Sequence, residues 1–138
     1  MIAYLDTSVI VRKLLEQPDL HPDWGAWETA ATSALTAVEA SRALHRMRLQ
    51  KRLTDPEVSR AFEILRTLLD GVGRIPVSET VLERAGHPFP TAIRTLDAIH
   101  LASALLWMHR ERKPIAFLTH DAELEIAARA VGFRARLT

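Results

Sequence analysis

The chain has 138 residues, 48% of them hydrophobic and 25% charged, with a formal net charge of +1 at pH 7, which suits one soluble domain over residues 1–138. The absence of cysteine excludes disulfides, thiolate zinc sites and cysteine nucleophiles. We expect no signal peptide and a cytoplasmic location without membrane contact, since no apolar stretch is long enough to cross a bilayer.

Hydrophobic runs and helix-boundary signals divide the chain into short strands that alternate with helices. The first helix has Thr7 or Ser8 as its predicted N-cap, and a later helix has Asp55 as N-cap, directly followed by a proline. In chain order, the predicted elements are a strand at Ile2–Leu5, a helix at 8–15, a strand at 32–35, a helix at 36–52, a helix from 55 to 70, a strand at 74–77, a helix at 78–85, a helix at 94–110, a strand at Ile115–Leu118, a helix that Gly132 ends and a strand at 133–137.

The predicted strands are apolar and lack polar alternation, which is typical of strands that are covered on both faces. Strands that alternate with helices favour an α/β fold, a sandwich around a mainly parallel sheet. In such a sheet, the residues that follow the carboxyl ends of the strands meet at one edge, where these folds place their binding and catalytic sites.

Four carboxylates interrupt apolar surroundings at positions that can reach this edge: Asp6, Glu39, Asp97 and Asp121. Taken singly, each has a structural explanation, because the aspartates can cap helices or favour a helix dipole and Glu39 can pair with Arg42 or Arg46. Together they would repel one another, and a divalent cation is the usual reason that such a cluster stays ionised. Without metal, we expect mutual repulsion to raise the pKa values of all four.

The acids lie in the blocks "MIAYLDTSVIVRKLL", "TSALTAVEASRAL", "RTLDAIHLASAL" and "FLTHDAEL". In this order, the blocks resemble those of PIN-domain ribonucleases, most closely the VapC toxins of VapBC toxin–antitoxin pairs. The resemblance implies a three-layer α/β/α sandwich and a ribonuclease that depends on Mg²⁺, with Mn²⁺ as a plausible substitute. It also implies that all four acids are catalytic, with Asp6 and Asp97 binding the metal and Glu39 and Asp121 binding it directly or through water.

Other side chains are expected to support these acids or to hold the substrate. The resemblance assigns Thr7, Ser8 and Thr119 to hydroxyl positions that orient the acids. His100, one helical turn beyond Asp97, is expected to be a packed or supporting residue rather than a proton donor. The candidate contacts to RNA phosphates are the arginines Arg42, Arg46 and Arg94.

The resemblance further implies a cognate VapB-type antitoxin and a homodimer. The acidic pocket would attract a guanidinium of the antitoxin, because arginine pairs with carboxylates in bidentate fashion. Apolar residues together with exposed tryptophan would give the chain a sticky surface suited to dimerisation.

Three alternative functions compete with the ribonuclease interpretation. A phosphatase of the haloacid-dehalogenase type needs a second acid two residues after the first, where this chain has Ser8. A response-regulator receiver needs a lysine after a late strand, whereas Lys113 precedes its strand. The third alternative is a PIN-like interaction module that binds an antitoxin or another peptide in its acidic groove without cleaving RNA.

Overall fold

A computed structural model describes residues 1–134 and shows four strands and six helices within them. In chain order these are β1 (Ile2–Leu5), α1 (Thr7–Leu14), β2 (Thr29–Ser33), α2 (Leu35–Leu49), α3 (Asp55–Asp70), β3 (Gly73–Ile75), α4 (Glu79–Ala85), α5 (Thr95–Glu111), β4 (Ile115–Leu118) and α6 (Ala122–Ala130). Over these residues, no helix combines the length and the apolar character needed to span a bilayer.

The four strands form one parallel sheet in the order β3-β2-β1-β4. Tyr4 of β1 stands opposite Ala31 of β2 on one side and Phe117 of β4 on the other. This register brings the carboxyl ends of the three strands to the same edge of the sheet, as a parallel arrangement requires.

Helices cover both faces of the sheet. On one face, Leu5 packs in a buried cluster with residues of α1, α2 and α3, such as Leu44 and Leu65. On the other face, Tyr4 stacks on Phe117, with ring centroids 5.1 Å apart, in a cluster with residues of α5 and α6. Neighbouring residues of β1 therefore point to opposite layers, and the predicted three-layer α/β/α sandwich with a parallel sheet is confirmed.

Several predicted boundaries were wrong because side chains cap helices earlier than expected. Asp6, not Thr7 or Ser8, is the N-cap of α1, since its carboxylate accepts a hydrogen bond from the Ser8 N–H. Thr54, not Asp55, caps α3 in a reciprocal capping box with Glu57.

The predicted bounds of β1 and β4 are confirmed, whereas those of β2 and β3 were shifted along the chain. β2 begins at Thr29, three residues before the predicted start, because Thr29 pairs with Ile2 of β1. β3 ends at Ile75 rather than at residue 77. In the predicted last strand, Arg134 forms an isolated parallel bridge with Ala116, and residues 135–137 lie outside the described part of the chain.

The tryptophans are not exposed, contrary to one basis for the expected homodimer. Trp24 and Trp27 pack edge to face, with ring centroids 5.1 Å apart, against the apolar layer between the sheet and α1–α3. Trp107 is buried on α5. The homodimer itself stays a prediction.

Candidate active site at the carboxyl edge of the sheet

The fold brings the four predicted acids to the region around the carboxyl ends of β1 and β4. Asp6 follows β1 directly and Asp121 follows β4 by three residues. Asp97 lies in the first turn of α5, and Glu39 lies one turn into α2. Burial raises the pKa of Asp97, and the negative charges of Asp6, Asp121 and Glu39 raise it further. The acids are therefore close enough to act on one another electrostatically.

Hydroxyl groups hold one oxygen of the buried Asp6 carboxylate. Its Oδ2 accepts hydrogen bonds from Ser8 Oγ at 2.6 Å and from Thr119 Oγ1 at 2.9 Å. Ser8 Oγ in turn accepts the His120 N–H at 3.0 Å, which ties the end of β1 to the loop after β4. Within residues 1–134, Asp6 Oδ1 accepts no hydrogen bond and lies 3.8 Å from His100 Nε2. Thr7 is the exception among the predicted hydroxyls, because it contacts Glu39 rather than Asp6.

Glu39 Oε1 is held by two donors from different elements. His100 Nε2 lies 2.5 Å away and Thr7 Oγ1 donates at 2.7 Å. The alternative explanation of Glu39, a salt bridge with an arginine of its own helix, is not observed within residues 1–134. Burial raises the pKa of the Glu39 carboxyl, but the hydrogen bonds from His100 and Thr7 and the charge of His100 outweigh it and leave the pKa below its ordinary value. The prediction that repulsion raises every pKa is therefore right for Asp97 and wrong for Glu39.

Tyr4 extends this hydrogen-bonded group into the core, and sequence reasoning missed it. The Tyr4 hydroxyl lies 2.7 Å from His100 Nδ1, and both side chains are almost completely buried. A tyrosine two residues before Asp6 in an otherwise apolar strand was the available signal, but its partner comes from position 100 and is invisible to local patterns.

Asp97 and Asp121 have fewer donors. Asp121 caps α6, because its Oδ1 accepts the N–H groups of Glu123 at 2.9 Å and Leu124 at 3.2 Å. The half-buried carboxylate of Asp97 accepts no hydrogen bond and forms no ion pair with any residue of 1–134. It lines a cavity of about 280 Å³ with Arg94.

The carboxylates of the site suit a hard divalent cation that keeps part of its water shell. Asp6 and Asp97 each offer a carboxylate oxygen that accepts no hydrogen bond from the described residues, and oxygen is the ligand that Mg²⁺ prefers. No three His, Asp or Glu side chains within residues 1–134 are grouped so that they could hold one ion directly. The arrangement therefore fits Mg²⁺ bound by one or two carboxylates and water, which is its usual coordination in proteins.

The predicted RNA-contacting arginines lie on α2 or at the start of α5, the two helices that carry Glu39 and Asp97. Arg42 and Arg46 are exposed on α2, the helix that carries Glu39. Arg94 is exposed at the N-cap of α5, three residues before Asp97. None of the three forms a salt bridge within residues 1–134, so their guanidinium groups are available to an anionic ligand.

A sequence profile of the PIN domain matches residues 3–130, a range that contains all four acids. The chain belongs to the PIN-domain family. This PIN domain is 37% identical over 137 residues to Ribonuclease VapC47 of Mycobacterium tuberculosis, with 94% of this chain and 92% of the relative covered. It is 35% identical over 135 residues to Ribonuclease VapC35 of the same species, with 93% and 90% covered. The resemblance to VapC-type PIN domains is confirmed.

Two solved structures share the fold of this PIN domain. A toxin-antitoxin complex from Klebsiella pneumoniae aligns with a TM-score of 0.59 at 20% identity and covers 93% of both chains. A crystal structure of VapBC2 from Rickettsia felis, bound to a DNA fragment from their promoter, aligns with a TM-score of 0.61 at 16% identity and covers 99% of this chain and 98% of that one. Both confirm the PIN-like α/β/α architecture.

Proposed function

We propose that this PIN domain is a Mg²⁺-dependent ribonuclease and the toxin of a VapBC-type toxin–antitoxin pair. The observation that carries the proposal is that the carboxylates of Asp6 and Glu39 meet around His100 Nε2, at 3.8 Å and 2.5 Å, at the carboxyl edge of the sheet. The charges of these acids and of Asp121 also raise the pKa of Asp97. The 37% identity to Ribonuclease VapC47 over almost the whole chain supports the same activity.

In this proposal, Asp6 and Asp97 hold Mg²⁺, or Mn²⁺ in its place, while Glu39 and Asp121 act mainly through water. The bound ion supplies a more acidic water and neutralises charge on the phosphodiester. Ser8 and Thr119 keep one Asp6 oxygen occupied, which leaves the other directed away from these donors. Thr7 and His100 likewise contact Oε1 of Glu39. No side chain has to act as a nucleophile.

Arg42, Arg46 and Arg94 bind the phosphates that lead into the acidic site. A strand of RNA needs cations on both sides of the acids, because the carboxylates repel its backbone. Exposed arginines on α2 and at the start of α5 meet that need.

The proposed partners are a VapB-type antitoxin and a second copy of the chain. A partner arginine at the acidic edge would pair with the carboxylates and compete with the metal. Apolar side chains that stay exposed on α2, Val38 at 59% and Leu49 at 84%, offer contact area for a partner protein.

The test compares the purified chain with an Asp6→Asn variant on a pool of defined short RNA oligonucleotides, with Mg²⁺ or with EDTA. We expect cleavage with Mg²⁺, none with EDTA and none by the variant, since an amide is a poor ligand for Mg²⁺. The matched control is Asp70→Asn, which changes an exposed aspartate at the end of α3. Binding of an antitoxin without any cleavage by the wild-type chain would favour the non-catalytic interaction module instead.

A further inference from the structure

Tyr4 and His100 form a buried polar pair between the apolar layer of the sheet and the acidic site. Tyr4 is the chain's one tyrosine, and its ring lies fully buried between Phe117 on β4 and residues of α5. Its hydroxyl would lose free energy in such surroundings without a hydrogen-bond partner. His100 Nδ1, 2.7 Å away, is that partner.

The directions of the hydrogen bonds follow from the chemistry of the partners. An ionised carboxylate can only accept, so His100 Nε2 must carry the proton that it donates to Glu39 Oε1 at 2.5 Å. In a neutral ring the other nitrogen, Nδ1, is then an acceptor, and the Tyr4 O–H donates to it. If the ring is protonated, Nδ1–H donates to the Tyr4 oxygen instead. In both states the Nε2–H points at Glu39.

The hydrogen bond at Nδ1 of His100 therefore determines how well the Nε2–H is oriented towards Glu39. A histidine held at Nε2 alone can rotate about the bonds of its side chain, whereas a ring held at both nitrogens has a fixed plane. His100 lies on α5 and Glu39 on α2, so the hydrogen bond between them links two helices, and the Tyr4 hydroxyl of β1 holds the ring that makes this link. Thr7 Oγ1 adds one further bond to the same Glu39 oxygen and leaves Oε2 without a partner among the described residues.

We propose that Tyr4 is a positioning residue for the active site, which acts through His100 to fix the carboxylate of Glu39 at the carboxyl edge of the sheet. This proposal rests on the proposed function in so far as Glu39 serves RNA cleavage. The geometric part, a Tyr4–His100–Glu39 chain of hydrogen bonds, stands without it. Outer contacts of this kind change metal affinity or activity by about ten- to a hundredfold in other metal sites.

The geometric part is tested by nuclear magnetic resonance on the full chain with ¹⁵N-labelled histidine, without RNA. We expect the Nε2-bound proton of His100 to resonate far downfield and to exchange slowly with water, as a short bond to a carboxylate requires. In Tyr4→Phe, this signal should broaden or move upfield, because the ring is no longer held at Nδ1. An unprotonated Nε2 in the wild type, or an unchanged His100 signal in Tyr4→Phe, would overturn the proposal.

The functional part is tested by single-turnover cleavage of RNA with Mg²⁺. Tyr4→Phe should lower the maximal rate about tenfold or more with little change in the RNA concentration at half-maximal rate. The matched control is Trp107→Phe, which removes an N–H donor from the same apolar cluster. In the wild type this N–H donates to Glu111 and not to the acids of the site. Equal rates for wild type and Tyr4→Phe would remove Tyr4 from the site.

A pair of variants at position 100 separates positioning from folding. His100→Gln keeps an N–H donor for Glu39 and should retain more activity than His100→Leu, which keeps none. Thermal unfolding of each variant shows which of them are folded. If the folded His100→Gln and His100→Leu variants were equally active, the positioning role would be wrong. A wild-type chain that cleaves no RNA would defeat the proposed function, while the resonance experiment would still decide the hydrogen-bond chain.

Discussion

Glu39 and Asp97 are both half-buried acids near the starts of helices, yet their pKa values shift in opposite directions. Glu39 lies beside His100 and Thr7, whose donors favour its ionised form. Asp97 lies beside other carboxylates and accepts no hydrogen bond from the described residues, so burial and repulsion favour its protonated form. Similar burial therefore leads to opposite behaviour, and the neighbouring groups decide which one occurs.

This difference divides the site into two parts, the hydrogen-bonded acids Asp6 and Glu39 and the acid without a donor, Asp97. Asp6 and Glu39 each have one oxygen engaged by donors from other elements, which fixes their orientation. Asp97 is destabilised as an anion and would gain most from a cation that neutralises its surroundings. In the proposed function, we therefore expect Asp6 and Glu39 to fix the position of the metal ion and Asp97 to bind it most strongly.

The largest expected effect on RNA cleavage comes from a substitution of Asp97. We expect Asp97→Asn to reduce Mg²⁺-dependent RNA cleavage by at least about a hundredfold, more than the loss of an outer contact would cause. The folded state should be no less stable, since the substitution removes repulsion without removing a hydrogen bond. Single-turnover cleavage and urea unfolding on the same preparation measure both effects. Undiminished cleavage would exclude Asp97 from the site.

Glu39 should show the reverse pattern in stability. Glu39→Ala leaves the buried N–H of His100 without its acceptor, so we expect the free energy of unfolding to fall by about 1–3 kcal/mol. Urea denaturation measures the change. Glu63→Ala on the exposed face of α3 is the matched control and should change stability by less than about 0.5 kcal/mol. Equal effects of the two substitutions would show that His100 does not depend on Glu39.

The pH dependence of stability without divalent cations should separate the two acids further. A raised pKa at Asp97 means that the folded state binds its proton more tightly than the unfolded chain, so this group lowers stability as the pH rises from about 4 through its folded pKa. The lowered pKa of Glu39 has the opposite sign, because its stabilisation is present above about pH 4 and is lost as the pH falls through its folded pKa.

Urea unfolding at several pH values, with EDTA, tests these signs. The stability advantage of Asp97→Asn over wild type should grow with rising pH, and the stability deficit of Glu39→Gln should shrink as the pH falls. Parallel profiles for wild type and both variants would mean that the two acids have ordinary pKa values in the folded chain.

The smallest expected effects concern the arginines on the two sides of the site. Arg42→Gln and Arg94→Gln should each weaken RNA binding a few-fold and reduce the slope of log affinity against log salt by about 0.7, the value for one phosphate contact on a single strand. Fluorescence anisotropy with an Asp6→Asn background measures binding without cleavage. A change for one arginine alone would place the RNA on that side of the acids.

The local signals in the sequence were sufficient for the order of the elements but not for their ends. Apolar runs located β1 and β4 with the observed bounds, because these two strands are covered on both faces. The predicted N-caps of α1 and α3 lay one or two residues too late. Several neighbouring side chains can accept the same backbone N–H groups, and backbone geometry decides that Asp6 and Thr54 do so. The start of β2 depended on its pairing with β1, which no local pattern encodes.

The sequence alone predicted which acids this PIN domain brings to one edge, because each of them follows a parallel strand or lies near the start of a helix packed on the sheet. It also predicted the family, through four blocks in a fixed order. Only the tertiary structure decided the opposite pKa shifts of Glu39 and Asp97 and the contact of Tyr4 with His100. The shift of Glu39 and the contact of Tyr4 arise from hydrogen bonds between residues 61 and 96 positions apart. The shift of Asp97 arises from burial and from the charges of acids on other elements. These interactions exist only when α2, α5 and β1 are packed together.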